Sequence, residues 1–245
     1  LREKKIVLFL VEGKSDVEAL ETIFEVIFEH ERIKFEIIKT DITADENIGK
    51  NNIDSVIISK IDKFLEKNPQ VTASDILQII QLTDMDGAGV APEKVLKSKN
   101  QVTSYTLDFI YAKDRNRMIA RNIRKRDILS FLIKKTYIIK QIPNKENDGI
   151  VYKLNYRIYY FSRNLEHVLY NIVEEVDKNR KVQLAEQFSD QYIDREKEFI
   201  LYINNPEIKV SGDYVATWKF IMQGCHSLHR KTNVGLIFKE FIYDE

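Results

Sequence analysis

Residues 6–16, IVLFLVEGKSD, and residues 76–89, ILQIIQLTDMDGAG, decide how this chain folds. In each, an unbroken apolar run stops at an acidic residue followed by glycine. Continuous rather than alternating hydrophobicity marks a strand covered on both faces, the condition of a buried parallel sheet. In open α/β sheets the working crevice lies beyond the carboxyl ends of the strands. If the two strands are neighbours, Glu12, Asp84 and Asp86 meet at one rim. Carboxylates crowded there repel one another, and a hard divalent cation relieves them. Asp84 and Asp86 are two apart, so at the end of an extended strand both leave from one side. Gly87 and Gly89 let the backbone turn and approach a ligand closely. Taken alone, DMDG is also an ordinary turn; the matching Glu12 on a second strand end is what argues for a site.

GKS at residues 13–15 invites comparison with a phosphate-binding P-loop, but that motif needs a glycine where Leu8 stands. Glu12 would also put a carboxylate among amides meant to cradle phosphate. The pair Glu-Gly after one strand and Asp-x-Asp-Gly after a later one instead resembles the TOPRIM domain of topoisomerases, primases and several nucleases. The resemblance covers roughly the first 90 residues. VEGKSDVEAL is similar in style to the OLD-type and RloB-like phage-defence nucleases, where a second acid follows the Glu by one helical turn; here it is Asp16. YFSRNLEHVLYN, residues 160–171, loosely matches a third motif of those nucleases through Ser162 and Glu166. The same stretch is equally an ordinary helix start, with Ser162 or Asn164 as cap.

The resemblance implies an α/β fold: a TOPRIM-like (Rossmann-like), mostly parallel sheet flanked by helices, with a helical C-terminal extension. The division expected is a metal-binding core over residues 1–112 and, over 113–245, a basic helix, a further strand and the extension packed on the core. Lys5–Val11 reads as the first strand. Ser15 and Glu18 form a capping-box signature, which starts the first helix at Asp16. A strand over Ile33–Lys39, a polar loop over Asp41–Asn52, a helix from Ile53 to Asn68 and a strand over Ile76–Thr83 follow. Beyond Gly89 come a short helix near Pro92, a strand over Tyr105–Ala112 and a helix over Arg115–Lys134. The apolar stripe of that helix is Met118, Ile119, Ile123, Ile128, Phe131 and Leu132. A turn at Lys145–Gly149 precedes a tyrosine-rich strand over Ile150–Phe161. Helices are then expected over Leu165–Val176, Val182–Ile203, Asp213–Cys225 and Asn233–Ile242, with Trp218 in the core.

The chain has 245 residues, 44% apolar and 31% charged, as ordinary globular proteins do. No apolar run approaches the roughly 20 residues of a membrane span, so no membrane partner is expected. Cys225 is the only cysteine and there are 4 histidines, which argues against disulfides and structural zinc and for a reducing cytoplasm. Net charge is zero but unevenly spread: residues 1–90 carry 18 acidic and 11 basic groups, and residues 113–140 carry 10 basic and 2 acidic. Carboxylates for a cation beside a positive surface for a phosphate backbone suit phosphodiester chemistry. A charge run is also, as often, a solvated helix face.

The function expected is a metal-dependent nuclease, an endonuclease on DNA or RNA in antiviral defence. Mg2+ or Mn2+ would be held by Glu12, Asp84 and Asp86, with Asp16 and Glu166 assisting. Glu12 would serve as general acid/base, and Lys231, with Arg230 beside it, would supply a cation opposite the metal. Arg117, Arg121, Arg124, Lys125 and Arg230 are the expected nucleic-acid contacts. The tyrosines of residues 150–161 suit base stacking or plain strand packing. Because OLD-type nucleases work with an ATPase, a separate ATPase partner is implied by the resemblance; a homo-oligomer is compatible with it. The alternative is a catalytically inactive nucleic-acid-binding or regulatory subunit.

Overall fold

Six apolar residues in a row form β1 (Ile6–Val11), and each is at most 1% exposed. In the computed structural model, which describes residues 5–28, 32–38, 41–144 and 147–242, both faces of that strand are covered. β2 (Arg32–Ile37) and β3 (Ile76–Asp84) flank it, both parallel. A small separate sheet follows from β4 (Val95–Lys97), β5 (Ser104–Tyr105) and β6 (Ile110–Ala112). β7 (Tyr137–Asn144) and β8 (Asn147–Phe161) then return to the main sheet, β8 parallel to β3 and β7 antiparallel to β8. The order β2-β1-β3-β8-β7 is a mixed, mostly parallel sheet that draws three strands from before residue 112 and two from after it.

The strand period of two sorts the helices into layers. Ile6, Leu8 and Leu10 point at α2 (Ile53–Lys67), α3 (Arg115–Leu132) and α7 (Tyr214–Ile221) through Ile57, Ile61, Leu129 and Trp218. Val7, Phe9 and Val11 point the other way. They meet α1 (Lys14–Ile27), α5 (Lys178–Tyr192), α6 (Glu196–Ile203) and α8 (Gly235–Ile242). Phe24 of α1 is the hub of that layer, with ring centroids 5.0 Å from Phe9 and 5.5 Å from Phe238. This is an α/β fold with helices on both faces, compatible with a Rossmann-like architecture. Among the described residues, no helix is long and apolar enough to cross a membrane.

Several boundaries differ from the sequence expectation, each for a local reason. α1 begins at Lys14 rather than Asp16, because Gly13 is its cap and Asp16 folds back onto the amides before it. The strand expected over Tyr105–Ala112 is interrupted: Thr106 Oγ1 accepts from the amides of Asp108 and Phe109, making a turn between β5 and β6. The helix expected over Leu165–Val176 is α4 (Leu165–Tyr170), ended by left-handed Asn171 at φ 57°. The expected continuous helix to Ile203 is split into α5 and α6 by Asp194, φ 58°. α7 stops at Ile221, short of Cys225. β7 was not anticipated; as an edge strand it alternates, Ile138 at 1% exposure and Ile139 at 49%. Trp218, 2% exposed, is core as expected. Lys39 of the expected second strand, and residues 145 and 146 of the expected turn, lie outside the described residues.

Candidate functional site

The register of β1 on β3 pairs Leu10 with Gln81, so the chain leaves β1 beside the last residues of β3. Glu12 therefore meets that strand end directly. Its Oε1 accepts from Thr83 Oγ1 at 3.0 Å and from the backbone N–H of Asp84 at 3.3 Å. Asp84 Oδ1 accepts from the backbone N–H of Leu165 at 3.0 Å, the first residue of α4. Three parallel strand ends thus converge on two carboxylates. Among the described residues the second oxygen of each accepts no hydrogen bond, leaving it free for a ligand. Asp16, one turn into α1, spends its Oδ2 on the N–H groups of Glu12 at 3.1 Å and Gly13 at 3.0 Å.

Asp86 has a different environment. It sits at φ 46°, its N–H donating to the carbonyl of Arg163 at 2.9 Å. Its Oδ2 receives Arg121 at 2.6 Å and Lys125 at 2.9 Å, both from α3. Lys125 also pairs with Asp41 at 2.7 Å, and Arg121 with Asp41 at 3.4 Å. The same helix clasps the loop after Asp86: Asn122 donates to the Gly87 carbonyl, Arg126 to those of Ala88 and Val90. On the far side a Cβ at Gly89 would lie 2.7 Å from the carbonyl oxygen of Ile221, so only glycine fits there.

These surroundings push the carboxylates apart in acidity. Burial raises Glu12 to about 8; Lys125 opposes this, while Asp41, Asp86 and Asp16 add to it. Burial, then the charges of Glu12 and Asp86, hold Asp84 well above the carboxylate range. Asp16 is raised to about 6, chiefly by burial, although the Gly13 amide favours its charged form. For Asp86 burial also acts upward, but the ion pairs with Lys125 and Arg121 outweigh it and carry the group down to about 2. Acids forced apart in this way are a mark of functional sites.

The expected residues divide accordingly. Glu12 and Asp84 come together, with Asp16 and Asp86 beside them, but Asp16 is occupied as a helix cap and Asp86 is neutralised by α3. Glu166 is 4% exposed and paired with Lys181 at 2.8 Å. Ser162 is fully buried and accepts from the Lys231 amide, so it anchors the 227–232 segment instead of facing the carboxylates. The Lys231 ammonium reaches away to the carbonyls of Pro206 and Glu207, which removes it as a cation opposite the site. Arg230 is spent on the Val168 carbonyl and the Tyr202 hydroxyl. Lys125, 0% exposed, is closed to nucleic acid. Tyr156, Tyr159 and Tyr160 are likewise at 0% and are core residues, not stacking platforms. Ile123, expected on the buried stripe of α3, is 45% exposed, while Asn122 and Lys125 take its place facing the acidic loop.

Two hollows adjoin the carboxylates. A cleft of about 410 Å³ is lined by Asp86, Tyr105, Arg163, Glu166 and Lys181. In it the Arg163 guanidinium lies 4.7 Å over the Tyr105 ring. A bay of about 780 Å³ between α3 and the 44–47 loop is lined by Lys113, Arg117, Arg121 and Arg124. Gln101 and Thr103 border both. Sequence reasoning missed Asp41, Lys125 as a structural cation, and Arg163. Asp41 had a readable signal, an acid just past a strand end. Lys125 had one too, since it stands on the stripe of Leu129 and Leu132 at helical spacing.

Among the described residues, no group of three or more His, Cys, Asp or Glu side chains is disposed to hold a metal ion by itself. Two hard carboxylates still suit magnesium, which keeps several waters and takes one or two carboxylates plus substrate phosphates instead of a full protein cage. No protein-family model, no curated protein and no solved structure matches the chain.

Proposed function

We propose that this chain is a metal-dependent nuclease, hydrolysing phosphodiester bonds of DNA or RNA at a TOPRIM-like site. The observation that carries the reading is the meeting of Glu12 with Asp84. Both are held at adjacent parallel strand ends and raised in pKa by burial, and among the described residues no basic side chain is bonded to either. Glu12 and Asp84 would hold Mg2+ or Mn2+. Bound there, the ion would polarise the phosphoryl oxygen and lower the pKa of an attacking water. Glu12 and Asp84 must surrender their protons to bind it, which ties affinity to pH. Arg117, exposed, and Lys113 and Arg124 in the bay draw the phosphate backbone toward the carboxylates. Arg163, packed over the Tyr105 ring, adds a cation to the wall of the adjoining cleft.

A separate ATPase partner, a defence role and a cytoplasmic setting belong to the proposal on sequence grounds alone. The second reading, a nucleic-acid-binding subunit without catalysis, is favoured by one observation: Asp86, the second acid of the Asp-x-Asp pair, is already neutralised by Arg121 and Lys125. One experiment separates them. Single-stranded DNA, duplex DNA and RNA are incubated with the protein in Mg2+, Mn2+ or chelator, beside Glu12→Gln and Asp84→Asn. The nuclease reading expects metal-dependent cleavage that each variant lowers by at least about 100-fold, the scale of losing a group that stabilises transition-state charge. Binding without cleavage of any substrate in either metal would contradict it.

A further inference from the structure

Lys125 is the residue the proposed chemistry leaves unexplained. It stands on the apolar stripe of α3, its side chain fully buried, yet its ammonium lies 2.7 Å from Asp41 and 2.9 Å from Asp86. A buried ammonium without partners would cost several kcal/mol, so the pairing is obligatory for the fold. Arg121 contacts the same two carboxylates, so two cations balance two anions. Glu166 is balanced by Lys181. Among the described residues, Glu12, Asp84 and Asp16 remain without a bonded cationic side chain, and Asp16 has two backbone amides. The directly paired cations therefore lie on the Asp41–Asp86 side of the centre and at Glu166.

We propose that the Lys125 ammonium is a built-in counter-cation occupying the place of a second divalent ion. The centre then takes a single ion at Glu12 and Asp84, and the Asp41–Asp86 half is closed to metal. This assignment rests on the metal-dependent reading and adds its ion count. Lys125 is a positioning residue: it fixes Asp86, and through it the loop that turns away from Asp84. Arg121 shares that role: its guanidinium lies 2.6 Å from Asp86 and 3.4 Å from Asp41, so opening this half to metal requires removal of both cations.

The test is the Mn2+ stoichiometry of the full chain, followed by electron paramagnetic resonance of free Mn2+ at pH 8. Wild type is expected to bind one ion, Asp84→Asn none, and the double variant Lys125→Met/Arg121→Met two, with Asp41 and Asp86, then stripped of both cations, forming the second site. Asp41→Asn is expected to leave one ion bound. Two ions in wild type, or one in a folded double variant, would overturn the assignment whatever the protein cleaves. Should the double variant fail to fold, Asp41→Asn decides: loss of the ion there overturns the assignment and one bound ion supports it. One bound ion with this pattern but no cleavage of any nucleic acid overturns the nuclease reading and leaves Lys125 in its role. No bound ion in wild type overturns both.

Discussion

Glu12 and Asp86 carry the same functional group on the same rim, and their neighbours give them opposite protonation. Glu12 is raised from 4.5 to about 8, first by burial and then by surrounding acids, so the folded protein holds a proton the unfolded chain has released. Its contribution to stability is therefore full below pH 4.5 and is lost as pH rises through about 8. Asp16, raised to about 6, adds the same sign at lower pH. Asp86, held at about 2, contributes stability above 3.8 that is lost only as pH falls through about 2, outside this window. Metal-free protein should thus melt at progressively lower temperature from pH 5 to 8. The slope is at most about 1.4 kcal/mol per pH unit for each group. Glu12→Gln should flatten the profile, and Mn2+ should restore stability most at the alkaline end, where it no longer competes with a proton. Equal slopes in wild type and Glu12→Gln, measured in chelator, would show that Glu12 is not the buried acid described.

Among the elements, the turn from β1 into α1 shows how a capping residue sets a site. Asp16 accepts from the amides of Glu12 and Gly13 and so fixes the backbone that aims Glu12 at Asp84. Removing the acceptor in Asp16→Ala should cost about 1–2 kcal/mol in urea unfolding, the range of a lost N-terminal cap. Asp16→Asn keeps an oxygen in place and should cost less than half of that, with Mn2+ affinity retained. Loss of the ion in Asp16→Asn with stability intact would instead make Asp16 a ligand. The helix itself was legible, because Val17, Leu20 and Phe24 repeat at its period. Its start was not, since Ser15 and Asp16 are both plausible caps and only the position of the Glu12 amide decides between them. The breaks at Asn171 and Asp194 escaped because a non-glycine residue at positive φ leaves only a weak sequence mark.

At the scale of the molecule, the two stretches that open the chain's reading do lie side by side, and the apolar runs that predicted buried strands are at the centre of the sheet. The neighbourhood of the carboxylates was less legible because α3 and the β8–α4 turn reach it from 35 to 84 residues away in sequence. A lone sequence shows that Arg121, Lys125 and Leu165 exist, but not that packing of α3 over the DMDG loop brings them there. The bay and the cleft flank the rim, the cleft reaching it at Asp86, and the proposed chemistry depends on whether Glu12 and Asp84 share an ion. Anomalous diffraction from crystals soaked in Mn2+ near pH 8 measures that directly. One peak is expected, within about 2.0–2.3 Å of an oxygen from each of Glu12 and Asp84, and absent from Asp84→Asn crystals. A peak elsewhere with none at this pair, or no peak at saturating Mn2+, would contradict a shared ion.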